Sequence, residues 1–192
     1  RASGVAVGTA VAIGSGPIWA GLIQRLMLRQ SLTPAWWGGT ALAVAGGTLM
    51  VTVGQGVASV PWVGMVLCLG AGLSYAAYTF FNKHLVRVWS PAGVNARVFG
   101  GAALMCCAVA PALAPWSLPD VRSWAVLLWL GLVATGVSYL LFTTALRTIS
   151  GPTGVALALG EPVTAFALAV LVVGERPGWS ALGGLMLVLA GL

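Results

Sequence analysis

One acidic residue lies far from other charges and is the first candidate for chemistry. Glu161 interrupts an otherwise uncharged run from Gly151 to Val173. Pro162 follows it and has no backbone N–H, so we expect a carbonyl near Ala158, one turn earlier, to be left free. A carboxylate beside such a carbonyl can carry a proton, hold a coupling ion or bind a cationic group. The alternative is a structural acid, protonated or hydrogen-bonded to a neighbouring helix, and the sequence leaves both interpretations open.

Three tyrosines, one arginine and one tryptophan are the other candidate substrate contacts. Tyr75 and Tyr78 share a helix face at spacing i, i+3, and Tyr139 ends a Gly-x-Ser-Tyr pattern that Tyr75 also ends. These groups suit an amphipathic or cationic substrate through cation–π contact; hydrogen bonding between helices without a ligand is the alternative. Arg97 either pairs with the acid or extends toward lipid headgroups. Trp19 either walls a cavity or packs between helices.

The residue types that enzymes and metal sites need are scarce. The 192 residues include one His, three Asp or Glu and three Cys. Cys106 and Cys107 are adjacent, so their side chains would point about 100° apart on a helix, which disfavours a shared metal or a disulfide. No serine-nucleophile, zinc-protease or phosphate-loop motif occurs. We therefore expect no catalytic residues, no metal and no cofactor.

The composition predicts the fold class. Nine Lys or Arg and three Asp or Glu are the only charged residues, and 59% of the chain is hydrophobic. Soluble domains carry about a quarter charged residues, so the sequence predicts an all-α integral membrane protein. The net charge of +6 is scattered along the chain, which disfavours a nucleic-acid partner. At about 20 apolar residues per span, the uncharged stretches predict seven transmembrane helices, near residues 2–24, 35–53, 60–81, 92–119, 123–146, 151–173 and 179–192.

The basic residues predict an orientation, because short cytoplasmic loops carry an excess of Lys and Arg. One side of the seven-span arrangement collects Arg25, Arg29, Lys83, Arg87, Arg97 and Arg147, and the other has Arg1, Arg122 and Arg176. The first set is therefore placed in the cytoplasm. This predicts a multi-pass protein of the plasma (cell inner) membrane with a cytoplasmic carboxy terminus.

An internal repeat relates the two ends of the chain. The pattern Gly-Gly-x-x-Leu-x-x-Ala-Gly begins at Gly38 and again at Gly183, 145 residues later. This offset contains five spans, and an odd number reverses orientation, so the halves would form an inverted repeat. We expect residues 1–55 to be the last two helices of a first repeat, whose other three helices would precede Arg1. Residues 56–192 would be the complete second repeat of a ten-helix, 5+5 protein.

The repeat unit resembles a known family. The segment that begins Gly160-Glu161-Pro162-Val163 and ends Gly174-Glu175, followed by the Gly183-Gly184 pattern, is similar to the closing motif of the drug/metabolite transporter superfamily, EamA type. The resemblance implies a ten-helix exporter or metabolite carrier with both termini in the cytoplasm. The substrates of such carriers are diverse, so the resemblance leaves the substrate open.

The sequence thus predicts a non-enzymatic transporter that moves a small organic metabolite or drug outward across the plasma membrane by alternating access. Tyr75, Tyr78, Tyr139 and Glu161 would line the cavity, with Glu161 as the site of proton coupling. The glycine pairs also fit a homodimer face. Two alternatives stay open at this point, namely a membrane-embedded enzyme that modifies lipids and a non-transporting subunit of a membrane complex.

Overall fold

Apolar helices follow one another in the computed structural model, which describes residues 2–52, 62–113, 120–174 and 177–192. Within these ranges the chain forms seven helical segments and no strand. Their bounds are Ala2–Leu26 for α1, Pro34–Thr52 for α2, Trp62–Leu85 for α3, Pro91–Leu113 for α4, Val121–Ala145 for α5, Gly151–Val173 for α6 and Trp179–Gly191 for α7. The predicted domain boundary between residues 55 and 56, and the motif residue Glu175, lie outside the described ranges.

Polar caps mark where three of these helices begin. Pro34 and Pro91 occupy the first position of α2 and α4, where a missing N–H costs nothing. In each cap a side-chain oxygen accepts the N–H three residues later: Thr33 from Trp36 at 3.2 Å, Ser90 from Gly93 at 3.1 Å and Asp120 from Ser123 at 3.0 Å. Hydrogen bonds from Ser123, through its side chain and its backbone, hold the pKa of the Asp120 carboxyl below its ordinary value.

Two of the long helices are not regular along their length. The middle of α5, Trp129–Val137, is π-helical, and regular α-helix resumes at Ser138–Ala145. In α6, a 3₁₀ turn at Ala158–Gly160 separates Gly151–Leu157 from Glu161–Leu168, and the helix ends as a π-helix over Ala169–Val173. Non-α segments inside helices often mark hinges and functional sites.

Four described helices are long and apolar enough to cross a bilayer, namely α3, α4 over Pro91–Ala112, α5 and α6. At most 17% of the residues in the apolar window of any of these helices are buried. Apolar side chains that lack protein neighbours are stable in contact with lipid. In that environment every backbone polar group must be hydrogen-bonded within the helix, as these helices allow. The all-helical membrane class is therefore confirmed, whereas the seven spans stay a prediction.

The chain divides into two compact units. The first comprises Arg1–Phe80 and Gly151–Leu192, and the second comprises Phe81–Ser150. In the second unit the core is Val86, Val94 and Leu146, supported by Val98, Phe142 and Ile149. The ammonium of Lys83 donates to the Leu146 carbonyl at 2.6 Å, so the end of α3 is tied to the end of α5.

In the first unit, small residues let three helices meet. Ala20 of α1, Ala76 of α3 and Val155 of α6 are buried together. A Cβ on Gly16 would lie 3.4 Å from the side chain of Val155 and 3.6 Å from that of Tyr75, which is ordinary contact. The small residues Gly16, Ala20 and Ala76 therefore allow these helices to pack closely, as in many membrane bundles.

The closest approach in the first unit is between α2 and α7. A Cβ on Gly39 would lie 2.6 Å from the carbonyl oxygen of Gly191, and one on Gly46 would lie 2.5 Å from that of Gly184. Any side chain at these positions would overlap the partner backbone. By contrast, Cβ atoms on the adjacent glycines, Gly38 and Gly183, would meet nothing within 4 Å. One glycine of each pair therefore faces the partner helix and the other does not.

This asymmetry gives a matched test of the α2–α7 contact. We expect Gly39→Ala and Gly184→Ala each to lower the free energy of unfolding by about 1–3 kcal/mol, because overpacking forces the helices apart. Gly38→Ala and Gly183→Ala should leave it unchanged or slightly raised, since alanine favours helix over glycine by about 0.5–1 kcal/mol. Unfolding of the detergent-purified protein measures all four. Equal effects of the two glycines in a pair would contradict the contact.

Candidate functional site

Glu161 lies immediately after the break in α6. Its backbone N–H donates to the carbonyl of Ala158, which closes the 3₁₀ turn. Pro162 is one of the first residues of the regular helix that follows, where its missing N–H is tolerated. The expectation that Pro162 leaves the Ala158 carbonyl free was therefore wrong, because the chain tightens locally and the preceding N–H takes that carbonyl. The 3₁₀ turn at Ala158–Gly160 therefore changes the helix geometry directly before the acidic side chain of Glu161.

The carboxylate of Glu161 is exposed on the helix. Within the described residues it makes no hydrogen bond or ion pair, and the nearby Thr164 hydroxyl donates to the Gly160 carbonyl at 3.3 Å instead. The side chain is therefore available to a ligand, an ion or another segment of protein.

Pro162, the residue after Glu161, lines an apolar cavity of about 310 Å³. The cavity is lined by Met50, Pro162, Ala165, Phe166, Ala169, Val170, Pro177 and Ala181, which come from α2, α6, α7 and the turn before α7. Its volume is at the lower end of the range for small-molecule sites. Glu161 is not among its lining residues, so this cavity offers an apolar surface and no polar partner for the acid.

Tyr75 and Tyr78 form a stacked pair on α3. Their ring centroids are 6.4 Å apart and their planes differ by 17°. Tyr75 also packs against the core formed by Ala20, Ala76 and Val155. The predicted i, i+3 face is thus present, and its rings are half-buried rather than free in a wide opening.

Trp19 packs against the same core, and its indole N–H donates to the carbonyl of Leu69 at 3.1 Å. The structure therefore brings Trp19 and Tyr75 to one cluster and ties α1 to α3 through the indole. This contact gives Trp19 a packing role whether or not it also borders a substrate path.

Tyr139 and Arg97 belong to the second unit, and each has local partners there. The Tyr139 ring meets Phe99 edge to face with centroids 4.9 Å apart, and Phe142 with centroids 6.5 Å apart. The guanidinium of Arg97 lies 3.5 Å from the centre of the Trp89 ring and donates to the Gly93 carbonyl at 2.9 Å. Arg97 is thereby held at the first turns of α4, and its role at the membrane border or in a substrate path stays a prediction.

Four of the six predicted site residues lie in the first unit, and three of these, Trp19, Tyr75 and Tyr78, belong to one aromatic cluster. Glu161 belongs to the same unit, two turns beyond Val155 of the shared core. Whether all six line one cavity stays a prediction.

Sequence reasoning missed a second set of polar residues. Asn82 and Thr143 are fully buried, and Asn95 accepts a hydrogen bond from the Thr143 hydroxyl at 2.8 Å. Asparagine at such positions in apolar helices was a signal that could have been used, since polar groups inside membrane helices need partners. Among the described residues, no group of three or more His, Cys, Asp or Glu side chains could hold a metal.

Long apolar helices, an all-helical fold and lipid-compatible surfaces define this chain as a multi-pass membrane protein. Residues 62–192 match the family model described as the EamA-like transporter family. The chain is also 35% identical, over its whole length and 64% of the relative's, to a protein of Bacillus subtilis (strain 168) named "Uncharacterized transporter YwfM". It therefore belongs to the EamA-like transporter family, as the resemblance of its closing motif predicted.

A solved structure described only as a crystal structure of a protein is similar in fold, with a TM-score of 0.80 and 17% identity. The similarity covers 96% of this chain and 64% of that one. The chain thus spans just under two thirds of the length of both proteins that it matches.

The hydrogen bond from the Trp19 indole N–H to the Leu69 carbonyl can be tested by removing the N–H donor. Trp19→Phe keeps an aromatic ring but no N–H donor, so we expect the free energy of unfolding to fall by about 0.5–1.5 kcal/mol. Trp124→Phe is the control, because that ring is exposed near the start of α5. Thermal unfolding in detergent compares them. Equal stability of the two variants would show that the indole hydrogen bond does not hold α1 to α3.

Proposed function

We propose that this chain is part of a transporter that moves a small organic metabolite or drug outward across the plasma membrane by alternating access. In this proposal all seven helices span the bilayer and the carboxy terminus is cytoplasmic. Residues 1–55 belong to one repeat, and residues 56–192 form the second repeat of a 5+5 arrangement. Alternating access then comes from movement of one repeat against the other.

The observation that carries the proposal is the reciprocity of the α2–α7 contact. An offset of 145 residues turns Gly39 into Gly184 and Gly46 into Gly191. Gly39 faces Gly191, and Gly46 faces Gly184, so each contact maps onto the other when the two helices are exchanged. Contacts of this kind are what a local two-fold axis produces.

The direction of that axis follows from the order of the contacts. As α2 advances from Gly39 to Gly46, its partner on α7 goes backward from Gly191 to Gly184, so the helices run antiparallel. A two-fold axis that relates antiparallel helices is perpendicular to them. If both helices cross the membrane, the axis lies in the membrane plane, which is the relation between inverted repeats in secondary transporters.

Irregular helix geometry precedes Tyr139 in the second unit and, separately, Glu161 in the first unit. The π-helical segment of α5 ends at Val137, directly before Ser138 and Tyr139. The 3₁₀ turn of α6 ends at Gly160, directly before Glu161. Transporters place their substrate and ion sites at interrupted helices near the bilayer midplane. Both interruptions therefore precede residues that the sequence selected for their chemistry.

The side chains favour an amphipathic or cationic substrate. Tyr75, Tyr78 and Tyr139 offer aromatic faces and hydroxyl groups, and the exposed carboxylate of Glu161 supplies negative charge. Trp19 borders the aromatic cluster, and Arg97 contacts substrate only if it leaves its stack on Trp89. A homodimer that uses the outward-facing Gly38 and Gly183 is part of the same proposal.

Glu161 is proposed as the proton-coupling group, and its charge can be removed with little change in shape. We expect Glu161→Gln to abolish the dependence of flux on a pH gradient in proteoliposomes, because glutamine cannot release a proton. Glu161→Asp is the matched control, since it keeps the titrating group one methylene closer to the helix, and it should retain a gradient-dependent flux.

Solute exchange in the absence of a gradient separates coupling from folding. The glutamine variant should still exchange substrate if only the proton site is lost. Gradient-driven accumulation by Glu161→Gln equal to that of the parent protein would contradict the coupling role.

A further inference from the structure

A buried polar cluster in the second unit lies outside the proposed transport site. Asn82 at the end of α3 is 1% exposed, and Thr143 near the end of α5 is 0% exposed. The Thr143 hydroxyl donates to Oδ1 of Asn95, on the first turns of α4, at 2.8 Å. Within the described residues, Nδ2 and Oδ1 of Asn82 and Nδ2 of Asn95 are buried and have no hydrogen-bond partner.

Each of the three polar residues lies within four positions along the chain of a residue of one small apolar core. Asn82 precedes Val86 by one helical turn, and its carbonyl accepts the Val86 N–H at 2.9 Å. Thr143 lies about one turn before Leu146, and Asn95 directly follows Val94. Val86, Val94 and Leu146 form a single buried cluster. The unpaired amide atoms thus belong to Asn82 at the end of α3 and Asn95 near the start of α4, and Thr143 of α5 is hydrogen-bonded to Asn95.

A buried amide group without a hydrogen-bond partner destabilises the folded state, and folded proteins usually satisfy such groups with protein atoms or bound water. The atoms on offer are two N–H₂ donors and one carbonyl acceptor. A ligand that fits them must both accept and donate hydrogen bonds.

The charge of the ligand distinguishes a cation, an anion and a neutral molecule as occupants of this site. A cation would leave both amide donors unsatisfied and would be repelled by the ammonium of Lys83, the residue next to Asn82, which is fixed on the Leu146 carbonyl. An anion would leave Oδ1 of Asn82 unsatisfied. Water is neutral, accepts two hydrogen bonds and donates two. We propose that Asn82, Asn95 and Thr143 form a binding site for internal water between the ends of α3, α4 and α5.

Whether removal of the Asn82 amide lowers or raises the melting temperature tests this site. Asn82→Leu is close in size and removes the amide. If Asn82 binds water, the variant loses those hydrogen bonds, and we expect the melting temperature of the detergent-purified intact protein to fall by about 2–4 °C, the shift for about 1 kcal/mol in a chain of this size. If Asn82 is truly unpaired, leucine removes a desolvation penalty, and a raised melting temperature would overturn the proposal.

A pair of controls tests whether the residues share the same water. The effect of Asn82→Leu should be at least halved in an Asn95→Leu background, because the two amides would share bound water. It should be unchanged with Thr144→Val, since the exposed Thr144 hydroxyl is bonded within its own helix to the Leu140 carbonyl at 2.7 Å. Full additivity with Asn95→Leu would overturn the shared site.

Radiolytic footprinting tests the water directly and needs no variant. Internal water yields hydroxyl radicals that oxidise the adjacent buried side chains, so we expect oxidation of Leu146 and Val94 although both are almost completely buried. When the protein is mixed with ¹⁸O-labelled water and irradiated after increasing delays, incorporation of ¹⁸O at these two residues should rise slowly, because the internal water must first exchange with solvent. Oxidation of these two residues should fall at least threefold in Asn82→Leu. No oxidation of either residue in the parent protein would overturn the proposal.

Discussion

Close approach of two helix backbones is the constraint on which the first unit depends. Lipid supplies no hydrophobic force to press apolar helices together, so contact between them relies on van der Waals packing. The α2–α7 pair meets this demand by having no side chain at all where the backbones meet, at Gly39 and Gly46 on one helix and Gly184 and Gly191 on the other. Because the same glycine spacing occurs twice in the chain, both helices can present the same surface to each other. The contact is therefore self-complementary, and it explains why the repeat is clearest at these glycines.

Two other helices, α5 and α6, depart from regular α-helical geometry along part of their length. α6 tightens to a 3₁₀ turn before Glu161 and Pro162, and α5 widens to a π-helix before Ser138 and Tyr139. Each departure moves hydrogen-bonding groups out of register within an apolar segment, where water cannot compensate. Such distortions are retained where they serve a purpose. Each of the two distortions directly precedes a residue that the sequence selects as a candidate for substrate or proton binding, Tyr139 after the first polar residue of its segment and Glu161 at once.

Much of this architecture could be predicted from the sequence because it depends on where charged residues are missing and where glycine, which has no side chain, recurs. The scarcity of charges predicts the apolar helices, and the repeated glycine pairs predict close helix packing, but the sequence did not show that α2 and α7 are the two helices in contact. Pro162 correctly signalled a disturbance of α6 but not its form, because whether a carbonyl stays free or is taken by Glu161 depends on how the backbone relaxes. The π-helix of α5 had no signal, since Trp129–Val137 has the composition of any membrane helix. Asn82 beside Lys83 resembled a solvated helix end, and only its three-dimensional neighbours make it buried.

A transport measurement tests the central claim most directly, namely that this member of the family carries organic solutes across a membrane. The intact protein in proteoliposomes should show saturable uptake or release of at least one solute from a broad panel of amphipathic and cationic metabolites, well above protein-free vesicles. That flux should be inhibited by excess unlabelled solute. Flux no greater than that of protein-free vesicles for every solute, with turnover of the vesicle lipid or a stable complex with other membrane proteins in its place, would contradict the account.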